Sequence, residues 1–346
     1  MSDTLPAVLG GFADTDADYE RFGIRRGEIA AWEDGARTDG APGTYEWWYF
    51  DANLADGASV IVVFLTKPYE DPSVPITPTV KLNLVLRDGT VLAKEATFSP
   101  EQFSAATDHC DVRIGDNRFT GDLLSYRITA EIDGVAVDLT IRGDVLPWRV
   151  ATGYATFGPE RDREFAWLPS IPQGHVDISY TVDGHSITTT GVGYHDHNWG
   201  NVAMGDILEG WYWARGQVGP YTVVASQITG ARAFGSPPMT VFLLASGERV
   251  IGDDSSRVTY EEFGPYVDAQ TGTPVANVTR YSYVDGADRW VLTYTRYRDI
   301  VVRGSRDEPG LGYLRMTGEI RLDRFAGDNL VEHHTSNAIW ERMHFA

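Results

Sequence analysis

The stretch GVGYHDHNWGN, residues 191–201, places two histidines and an aspartate within three positions. Successive side chains of a β-strand point to opposite faces, so His195 and His197 would share one face and Asp196 would take the other. Two imidazoles at this spacing can bind a metal, but the sequence offers no clear third or fourth ligand. We therefore predict no metal and no cofactor. The alternative for the histidines is that they cap the end of a strand and hydrogen-bond the backbone.

The stretch TYEWWYFDANL, residues 44–54, carries two carboxylates among large aromatic rings. Read as a strand, it places one acid and two rings on each face. Glu46, Trp48 and Phe50 share one face, and Trp47, Tyr49 and Asp51 share the other. A carboxyl group buried among indoles keeps its proton near neutral pH because burial disfavours the charged form. Such a group is a general acid for an alkene, and facing rings stabilise the resulting cation. The alternative is that Glu46 and Asp51 pair with an arginine or accept backbone N–H groups, and so pin two sheets together.

Tryptophans cluster around the histidine motif. Trp199 follows it directly, and the stretch EGWYWARG places Trp211 and Trp213 on one face of a further strand. Three indoles near two imidazoles favour a pocket wall, because each buried indole N–H needs a hydrogen-bond partner. The alternative is that the rings fill the interior of a barrel. Tyr49, Tyr212 or a tryptophan N–H would also donate a hydrogen bond to a substrate carbonyl.

Other chemistries lack their sequence patterns. The chain has no G-x-S-x-G elbow and no P-loop, and Asp196 stands where a dinucleotide-binding loop needs its third glycine. The formal net charge of −20 disfavours nucleic acid and anionic membranes as partners. The single cysteine, Cys110, excludes an internal disulfide. There is no apolar run of membrane-spanning length and no signal-peptide pattern, so we predict a cytoplasmic protein without membrane insertion.

The elements that must position these residues read as β-hairpins. Asp-Gly pairs, which supply the positive φ angles of tight hairpin turns, lie between alternating apolar runs. They stand at residues 56–57, 88–89, 133–134, 183–184 and 285–286. Only two short helical segments are predicted, one near Asp18 to Trp32 and a turn after Ser99. The segment Pro147–Gly174, rich in Pro, Gly and charge, is predicted to be a long ordered loop. The fold class is therefore all-β, with less than about a fifth helix.

The length of 346 residues suits two domains. We predict the boundary close to Gly200, because a strand-rich second half begins near Leu208. An N-terminal β domain with an N-terminal extension is predicted over residues 1–200, and a C-terminal β-barrel domain over residues 201–346. Many strands in meander order are typical of barrels and sandwiches.

The two motifs together resemble a known family. YEWWYFDA, and GYHDHNWG leading into GWYWARG, resemble the carotenoid 1,2-hydratase (hydroxyneurosporene synthase) and AttH-like group of lipocalin-like proteins. This superfamily includes kievitone hydratase and decalin-forming Diels–Alderases, and the resemblance extends from about Gly43 to the C-terminal AIWERMHF. It implies two lipocalin-like antiparallel β-barrel or sandwich domains with an apolar ligand pocket in or between them. It also implies chemistry at a carbon–carbon double bond, either hydration or [4+2] cyclisation.

We therefore predict an enzyme of secondary metabolism that acts on a carbon–carbon double bond of an apolar, polyene-like terpenoid or polyketide. The predicted reaction is acid-assisted hydration, dehydration or cyclisation, which would make the enzyme a hydratase- or cyclase-type lyase or isomerase. A small terpenoid or polyketide is favoured over a free carotenoid, because the chain has no membrane-facing feature. The alternatives are a cofactor-free Diels–Alderase and a non-catalytic carrier of a lipophilic ligand.

The motif matches also fix the predicted site. The predicted catalytic residues are His195, Asp196, His197, Glu46 and Asp51. The predicted substrate-binding residues are Trp48, Tyr49, Tyr194, Trp199, Trp211, Tyr212 and Trp213. An apolar small molecule is the predicted partner, nucleic acid is not one, and the chain is expected to be a monomer or a homodimer.

Overall fold

The structure, a computed structural model, describes residues 9–306 and 308–345. Strands make up 63% of it and helices 7%, so the prediction of an all-β chain with little helix is confirmed. The strands form two antiparallel sheets, one of them curled into a half-barrel. Within the described residues, no helix is long and apolar enough to cross a membrane.

The first sheet has thirteen strands and the second has nine. The strands of the first sheet are β1 Gly10–Phe12, β2 Tyr45–Leu54, β3 Ser59–Leu65, β4 Thr79–Val85, β5 Val91–Thr97, β6 Phe103–Ala105, β7 Cys110–Ile114, β8 Asn117–Gly121, β9 Ser125–Ile132, β10 Val135–Gly143, β11 Tyr154–Phe157, β12 Arg163–Val182 and β13 His185–Gly200. Those of the second are β14 Leu208–Val218, β15 Tyr221–Gly230, β16 Pro238–Ser246, β17 Arg249–Gly252, β18 Val258–Val267, β19 Pro274–Asp285, β20 Asp288–Ser305, β21 Glu308–Ala326 and β22 Asn329–Phe345. The helices are α1 Asp16–Phe22 and α2 Met204–Ile207, with 3₁₀ turns at Ala31–Asp34, Pro100–Gln102, Arg232–Phe234 and Ser255–Arg257.

Both sheets follow the same path. In the first, β2 to β5 run outward to one edge, and the chain returns from the other edge until β13 pairs with β2. In the second, β14 to β17 run outward, and β18 to β22 return until β22 pairs with β14. In each sheet the strands that come early and late in the sequence therefore lie side by side in the middle.

The predicted Asp-Gly turns are confirmed. Each joins two strands that pair with one another, such as β9 with β10 and β12 with β13. At the first of these turns Asp133 has φ 48° and Gly134 has φ 77°. Two successive positive φ angles are what a two-residue primed turn requires, and glycine adopts them without steric cost.

The predicted long loop over Pro147–Gly174 is wrong. The strands β11 and β12 occupy much of it, and β12 contains Pro169 and Pro172. The register of β12 against β13 shifts between residues 168 and 171 and again between residues 171 and 174. Bulges of this kind leave a residue outside the hydrogen-bond ladder, which is where a proline without an N–H can sit in a strand.

The chain divides into two compact units, and each has its own core. The first unit holds residues 12–156 and 162–204, and its core includes Trp48, Phe50 and Phe64. The second unit holds residues 205–345 of the described chain, with residues 9–11 and 157–161. In the first unit, β4 and β5 contact β9 although other strands separate them in the sheet, so the sheet curls around its core.

Candidate active site

The two sequence motifs lie on neighbouring strands of the first unit. The antiparallel register of β2 and β13 sets His197 opposite Trp48, Asp196 opposite Tyr49, and Trp199 opposite Glu46. Residues directly opposite one another in an antiparallel pair project from the same face. The strand pair therefore carries two sets of polar side chains on its two faces, one with the histidines and one with Asp196.

We call the first set the histidine cluster, and it comprises Asp34, Glu46, Tyr126, His195 and His197. Both histidines are 0% exposed, and Asp34 and Glu46 are each 1% exposed. Nε2 of His197 lies 2.7 Å from Oε1 of Glu46, and Nε2 of His195 lies 3.2 Å from Oδ2 of Asp34. Two carboxylates and two imidazoles thus face each other out of contact with solvent.

Glu46 connects this cluster to the chain segment before β2. Its carboxylate accepts the backbone N–H groups of Arg37 at 2.6 Å and Thr38 at 3.1 Å, and the hydroxyl of Thr38 at 2.9 Å. We call residues 31–38, which also contain Asp34, the strap. Glu46 therefore anchors the strap by accepting backbone N–H groups. This is the structural role that the sequence analysis gave as the alternative to catalysis.

Asp34 is the partner that the sequence did not identify. The hydroxyl of Tyr126 donates to its Oδ2, which also faces His195. Burial raises the pKa of Asp34, but attraction to His195 and the hydrogen bond with it outweigh burial, so the pKa lies below the usual value. The thiol of Cys110 lies close by, and burial raises its pKa well above the ordinary value.

Aromatic rings enclose the histidine cluster. The ring of Trp48 stacks on that of His197 at 4.5 Å between centroids, and the ring of Trp199 lies 4.7 Å away. The indole N–H of Trp48 donates to the backbone carbonyl of Asp34 at 3.1 Å. Trp48 is 0% exposed and belongs to the core of the first unit, so it seals the cluster from solvent.

We call the set on the other face the carboxyl cluster, and it comprises Asp196, Tyr194, Trp167 and Asn198. Oδ2 of Asp196 accepts the hydroxyl of Tyr194 and the indole N–H of Trp167, both at 2.8 Å, while Oδ1 accepts the amide of Asn198 at 2.7 Å. Burial raises the pKa of Asp196 to about 6, although these hydrogen bonds oppose the rise. A carboxyl group in this position exists in both protonation states near neutral pH.

The carboxyl cluster continues along β2. The hydroxyl of Tyr49 donates to Oδ2 of Asp51 at 2.8 Å, and the ring of Tyr49 meets that of Tyr194 edge-on at 6.4 Å. Asp51 is buried, whereas Tyr49 is partly exposed. This face thus combines a second buried acid with phenol groups, one of which reaches solvent.

The predicted substrate-binding residues Trp211, Tyr212 and Trp213 lie on β14 of the second unit. Trp211 donates its N–H to Glu341 at 3.0 Å and packs against Phe345. The hydroxyl of Tyr212 accepts the backbone N–H of Ala276 at 2.8 Å, and its ring belongs to the core of that unit. Trp213 is partly buried on the same strand. The histidine and carboxyl clusters are both built from residues of the first unit.

Sequence reasoning missed four partners, namely Asp34, Tyr126, Trp167 and Asn198. Asp34 lies in the irregular stretch AWEDGARTDG, which has no alternation to assign it a face. Tyr126 is one of the alternating apolar residues of the β9–β10 hairpin, so nothing in the sequence distinguishes it from an ordinary core residue. Trp167 falls in the segment that was predicted to be a loop. Recognising the bulged prolines of β12 would have placed Trp167 on a strand.

A family model described as Diels–Alderase-like matches residues 41–275. This range contains β2, β13 and all members of both clusters except Asp34, which lies in the strap. The chain belongs to the Diels–Alderase-like family. This confirms the resemblance drawn from the two motifs, because the match includes both of them.

Curated relatives of this Diels–Alderase-like chain differ in their named reactions. It is 38% identical over 198 residues to quinolone epoxide rearrangement protein penF of Penicillium thymicola, covering 52% of this chain and 54% of the relative. It is 29% identical over 208 residues to a hydroxyneurosporene dehydrogenase of Chlorobaculum tepidum, covering 51% of this chain and 54% of the relative. The chain thus spans about half the length of the curated relatives it matches.

Solved structures show the same fold at low sequence identity. CghA matches with a TM-score of 0.63 at 16% identity, over 88% of this chain and 89% of that chain. An AttH-like protein of Nitrosomonas europaea matches with a TM-score of 0.61 at 18% identity, over 92% and 98% of the two chains. Kievitone hydratase of Nectria haematococca matches with a TM-score of 0.55 at 16% identity, over 99% and 97%. At these identities the likeness establishes the lipocalin-like fold of the family.

Proposed function

We propose that this chain is an enzyme of secondary metabolism that acts on a carbon–carbon double bond of an apolar, polyene-like terpenoid or polyketide. The reaction is acid-assisted hydration, dehydration or cyclisation. Membership of the Diels–Alderase-like family supports this proposal. So do the relatives, whose names include an epoxide rearrangement protein and a hydratase.

The observation that carries the proposal is the geometry around Asp196. Asp196 is 6% exposed, and its carboxyl group is held by a phenol, an indole and an amide that all donate to it. Three donors fix the direction of both oxygens, so the group is oriented before any substrate binds. An alkene is a poor base, and proton transfer to it needs an acid that is both positioned and poorly hydrated.

The rings around Asp196 suit the second half of such a reaction. Protonation of a polyene leaves a carbocation, which the negative faces of aromatic rings stabilise. Tyr49, Tyr194 and Trp167 provide such rings within the same cluster. Water or an internal double bond then captures the cation, which gives hydration in one case and cyclisation in the other. Asp196 returns to its protonated form by taking a proton from solvent or from the product.

A cofactor-free Diels–Alderase is the second candidate function. Its support is the family model, together with the phenol and indole donors that surround Asp196. In a [4+2] cyclisation such donors would hydrogen-bond a carbonyl of the dienophile and so lower the barrier, without any proton reaching carbon. Asp196 would then orient Tyr194 and Trp167 instead of donating a proton.

Heavy water separates the two candidates. The protein is incubated in heavy water with a panel of linear polyenes and prenylated aromatic compounds, and the products are analysed by mass spectrometry. The acid-assisted reaction places one solvent-derived deuterium on carbon in a hydration or a cyclisation. A cyclised product without deuterium would contradict it and support the Diels–Alderase.

Substitution at Asp196 tests the same proposal on the protein side. Asp196→Asn keeps the shape and removes the acid, so turnover should fall on the order of a hundredfold or more. The matched control is Asp177→Asn on β12, whose side chain is 50% exposed and pairs with Arg142 at the surface. If the unmodified protein and the Asp177→Asn control both bind the polyene but do not convert it, the chain is a carrier.

A further inference from the structure

A second set of side chains in the first unit has ligand atoms that the proposed reaction does not use. One carboxylate oxygen of Asp34, Sγ of Cys110 and one ring nitrogen of His195 all lie within 4.8 Å of one another. Asp34 and Cys110 are each 1% exposed and His195 is 0% exposed. A carboxylate, a thiol and an imidazole thus converge at a point that solvent does not reach.

The outer nitrogen of each histidine is already bonded. Nδ1 of His195 lies 2.8 Å from the backbone carbonyl of Tyr49, and Nε2 of His197 lies 2.7 Å from Glu46. A carbonyl or a carboxylate oxygen only accepts, so each of these ring nitrogens carries a proton. Metal-bound histidines adopt this arrangement, with the far N–H donated to a carbonyl or carboxylate and the near nitrogen turned towards the metal.

The near nitrogens of both rings face the two oxygens of Asp34. Nε2 of His195 lies 3.2 Å from Oδ2, and Nδ1 of His197 lies 3.4 Å from Oδ1. Neither Nδ1 of His197 nor Oδ1 of Asp34 has a hydrogen bond among the described residues. A ring nitrogen can lie this close to a carboxylate oxygen only with a proton or a cation between the two.

The distances favour a cation. A charge-assisted N–H···O bond is about 2.7–2.9 Å long, which is the length that His197 reaches with Glu46. Two ligands that each stand about 2.0–2.1 Å from a tetrahedral zinc ion are separated by about 3.3 Å. The contact between Nε2 of His195 and Oδ2 of Asp34, at 3.2 Å, matches the separation of metal ligands and exceeds that of charged hydrogen bonds.

We propose that Asp34, Cys110 and His195 bind a zinc ion. Mixed thiolate, imidazole and carboxylate ligation is typical of zinc. The thiol of Cys110, which contacts the carbonyl of Phe119 at 3.7 Å, loses its proton to solvent when the metal binds. The ion fixes the strap against β7 and β13 and takes no part in the reaction at Asp196.

This inference reverses the expectation drawn from the sequence alone. No metal was expected because the two histidines had no evident third or fourth ligand. The fold places two further ligands beside His195, which are Asp34 from the strap and Cys110 from β7. These ligands lie 161 and 85 positions before His195, which is a spacing that no sequence motif contains.

Metal content of the chain without an affinity tag is the first test. Protein produced in medium with added zinc is dialysed and measured by plasma mass spectrometry, and we expect about one zinc per chain. Cys110→Ser and Asp34→Asn should reduce the zinc content at least tenfold. The matched control is His175→Ala on β12, since His175 is 51% exposed and should leave the content unchanged. Unmodified protein with less than about a tenth of an equivalent would overturn the proposal.

Cobalt substitution tests the ligand set in the unmodified protein, independently of how the variants fold. Zinc is removed with a chelator and replaced by cobalt(II), and we expect visible d–d bands together with a thiolate-to-cobalt charge-transfer band. Chelation should also lower the melting temperature, and added zinc should restore it. Cobalt bands without the thiolate band, or a melting temperature that does not respond to chelator and zinc, would contradict the site. The deuterium experiment on Asp196 has its own readout, so either proposal can fail alone.

Discussion

Asp34 and Asp196 are both buried carboxyl groups, and their partners give them different properties. Asp34 faces two imidazoles and a phenol, whereas the donors to Asp196 are neutral. For Asp34 the attraction to His195 and the hydrogen bond with it outweigh the cost of burial, whereas the hydrogen bonds to Asp196 offset only part of that cost. The pKa accordingly lies below the usual value for Asp34 and rises to about 6 for Asp196. The same strand pair thus holds one stabilised carboxylate and one carboxyl group that readily takes up a proton.

The raised pKa of Asp196 predicts a pH dependence of stability that disappears when the acid is removed. The ordinary pKa is 3.8 and burial raises it to about 6 in the folded protein, so the folded state binds more protons between these values. The free energy of unfolding should therefore fall as pH rises through this range, by about 3 kcal/mol at most. Asp196→Asn abolishes this dependence, so the melting temperature of the variant relative to the parent protein should be higher at pH 8 than at pH 4.

Differential scanning fluorimetry at the two pH values measures this effect, with Asp177→Asn as the control that should show no such difference. A difference in melting temperature between variant and parent protein that is the same at both pH values would contradict the prediction. Loss of the pH dependence together with lower turnover would be characteristic of an active-site acid, because function places groups in environments that cost stability.

At the scale of elements, the strap depends on Glu46. Its carboxylate is the acceptor for two backbone N–H groups and one hydroxyl of the strap, and it also faces His197. Glu46→Gln places an amide N–H₂ group where an acceptor is needed and removes the negative charge beside the imidazole. We expect the free energy of unfolding to fall by about 2–4 kcal/mol.

Chemical denaturation measures this change, and limited proteolysis locates it, since cleavage within residues 31–44 should accelerate. Glu95→Gln on β5 is the control, because that side chain is 57% exposed and pairs with Lys81 at the surface. Equal stability of the Glu46 and Glu95 variants would show that the strap is held by other contacts.

Close approach of β2 to β13 requires a glycine in the second motif. A Cβ atom at Gly193 would lie 2.9 Å from the backbone oxygen of Asp51 and 2.7 Å from Val176. Gly193→Ala should therefore separate the two strands and reduce the free energy of unfolding by about 1–3 kcal/mol, with a matching loss of turnover. Gly216→Ala is the control, because nothing lies within 4 Å of a Cβ atom at that position. If both alanine variants unfold at the same denaturant concentration, the two strands tolerate the extra methyl group.

Local patterns predicted the elements well, because hairpins are local. The Asp-Gly turns and the alternation of β9 and β10 depend on neighbouring residues only, and they appear as expected. The site itself depends on contacts that are distant in sequence. Nothing in the two motifs indicates that β2 pairs with β13, or that Asp34 in an irregular segment reaches His195. The strand β12 was missed for a different reason. Its prolines locally predict a loop, but bulges in the pairing with β13 accommodate them within the sheet.

At the scale of the whole molecule, the net charge of −20 should make stability dependent on salt. Like charges repel in the compact state, and dissolved salt screens that repulsion over a Debye length of about 30 Å at 0.01 M and about 10 Å at 0.1 M. The melting temperature should therefore rise by several degrees between about 10 mM and about 200 mM sodium chloride.

The control is the same salt series near the sequence isoelectric point of about 4.7, where the effect should be small. A melting temperature that falls with salt at pH 8 would mean that attractive ion pairs outweigh the net repulsion. Exposed pairs such as Arg127 with Asp138 are the ones that salt would weaken in that case.

The strap also imposes an order on the synthesis of the chain. Asp34 and Glu46 meet their imidazoles across 161 and 151 positions of sequence, so both acids leave the ribosome long before His195 and His197 exist. At about 5–20 residues per second this interval lasts roughly 10 to 30 s. During that time β2 has an unpaired edge, and its acids cannot enter an apolar interior without a partner. The yield of this protein in a cell therefore depends on how the growing chain is protected during those seconds, as well as on the stability of the finished fold.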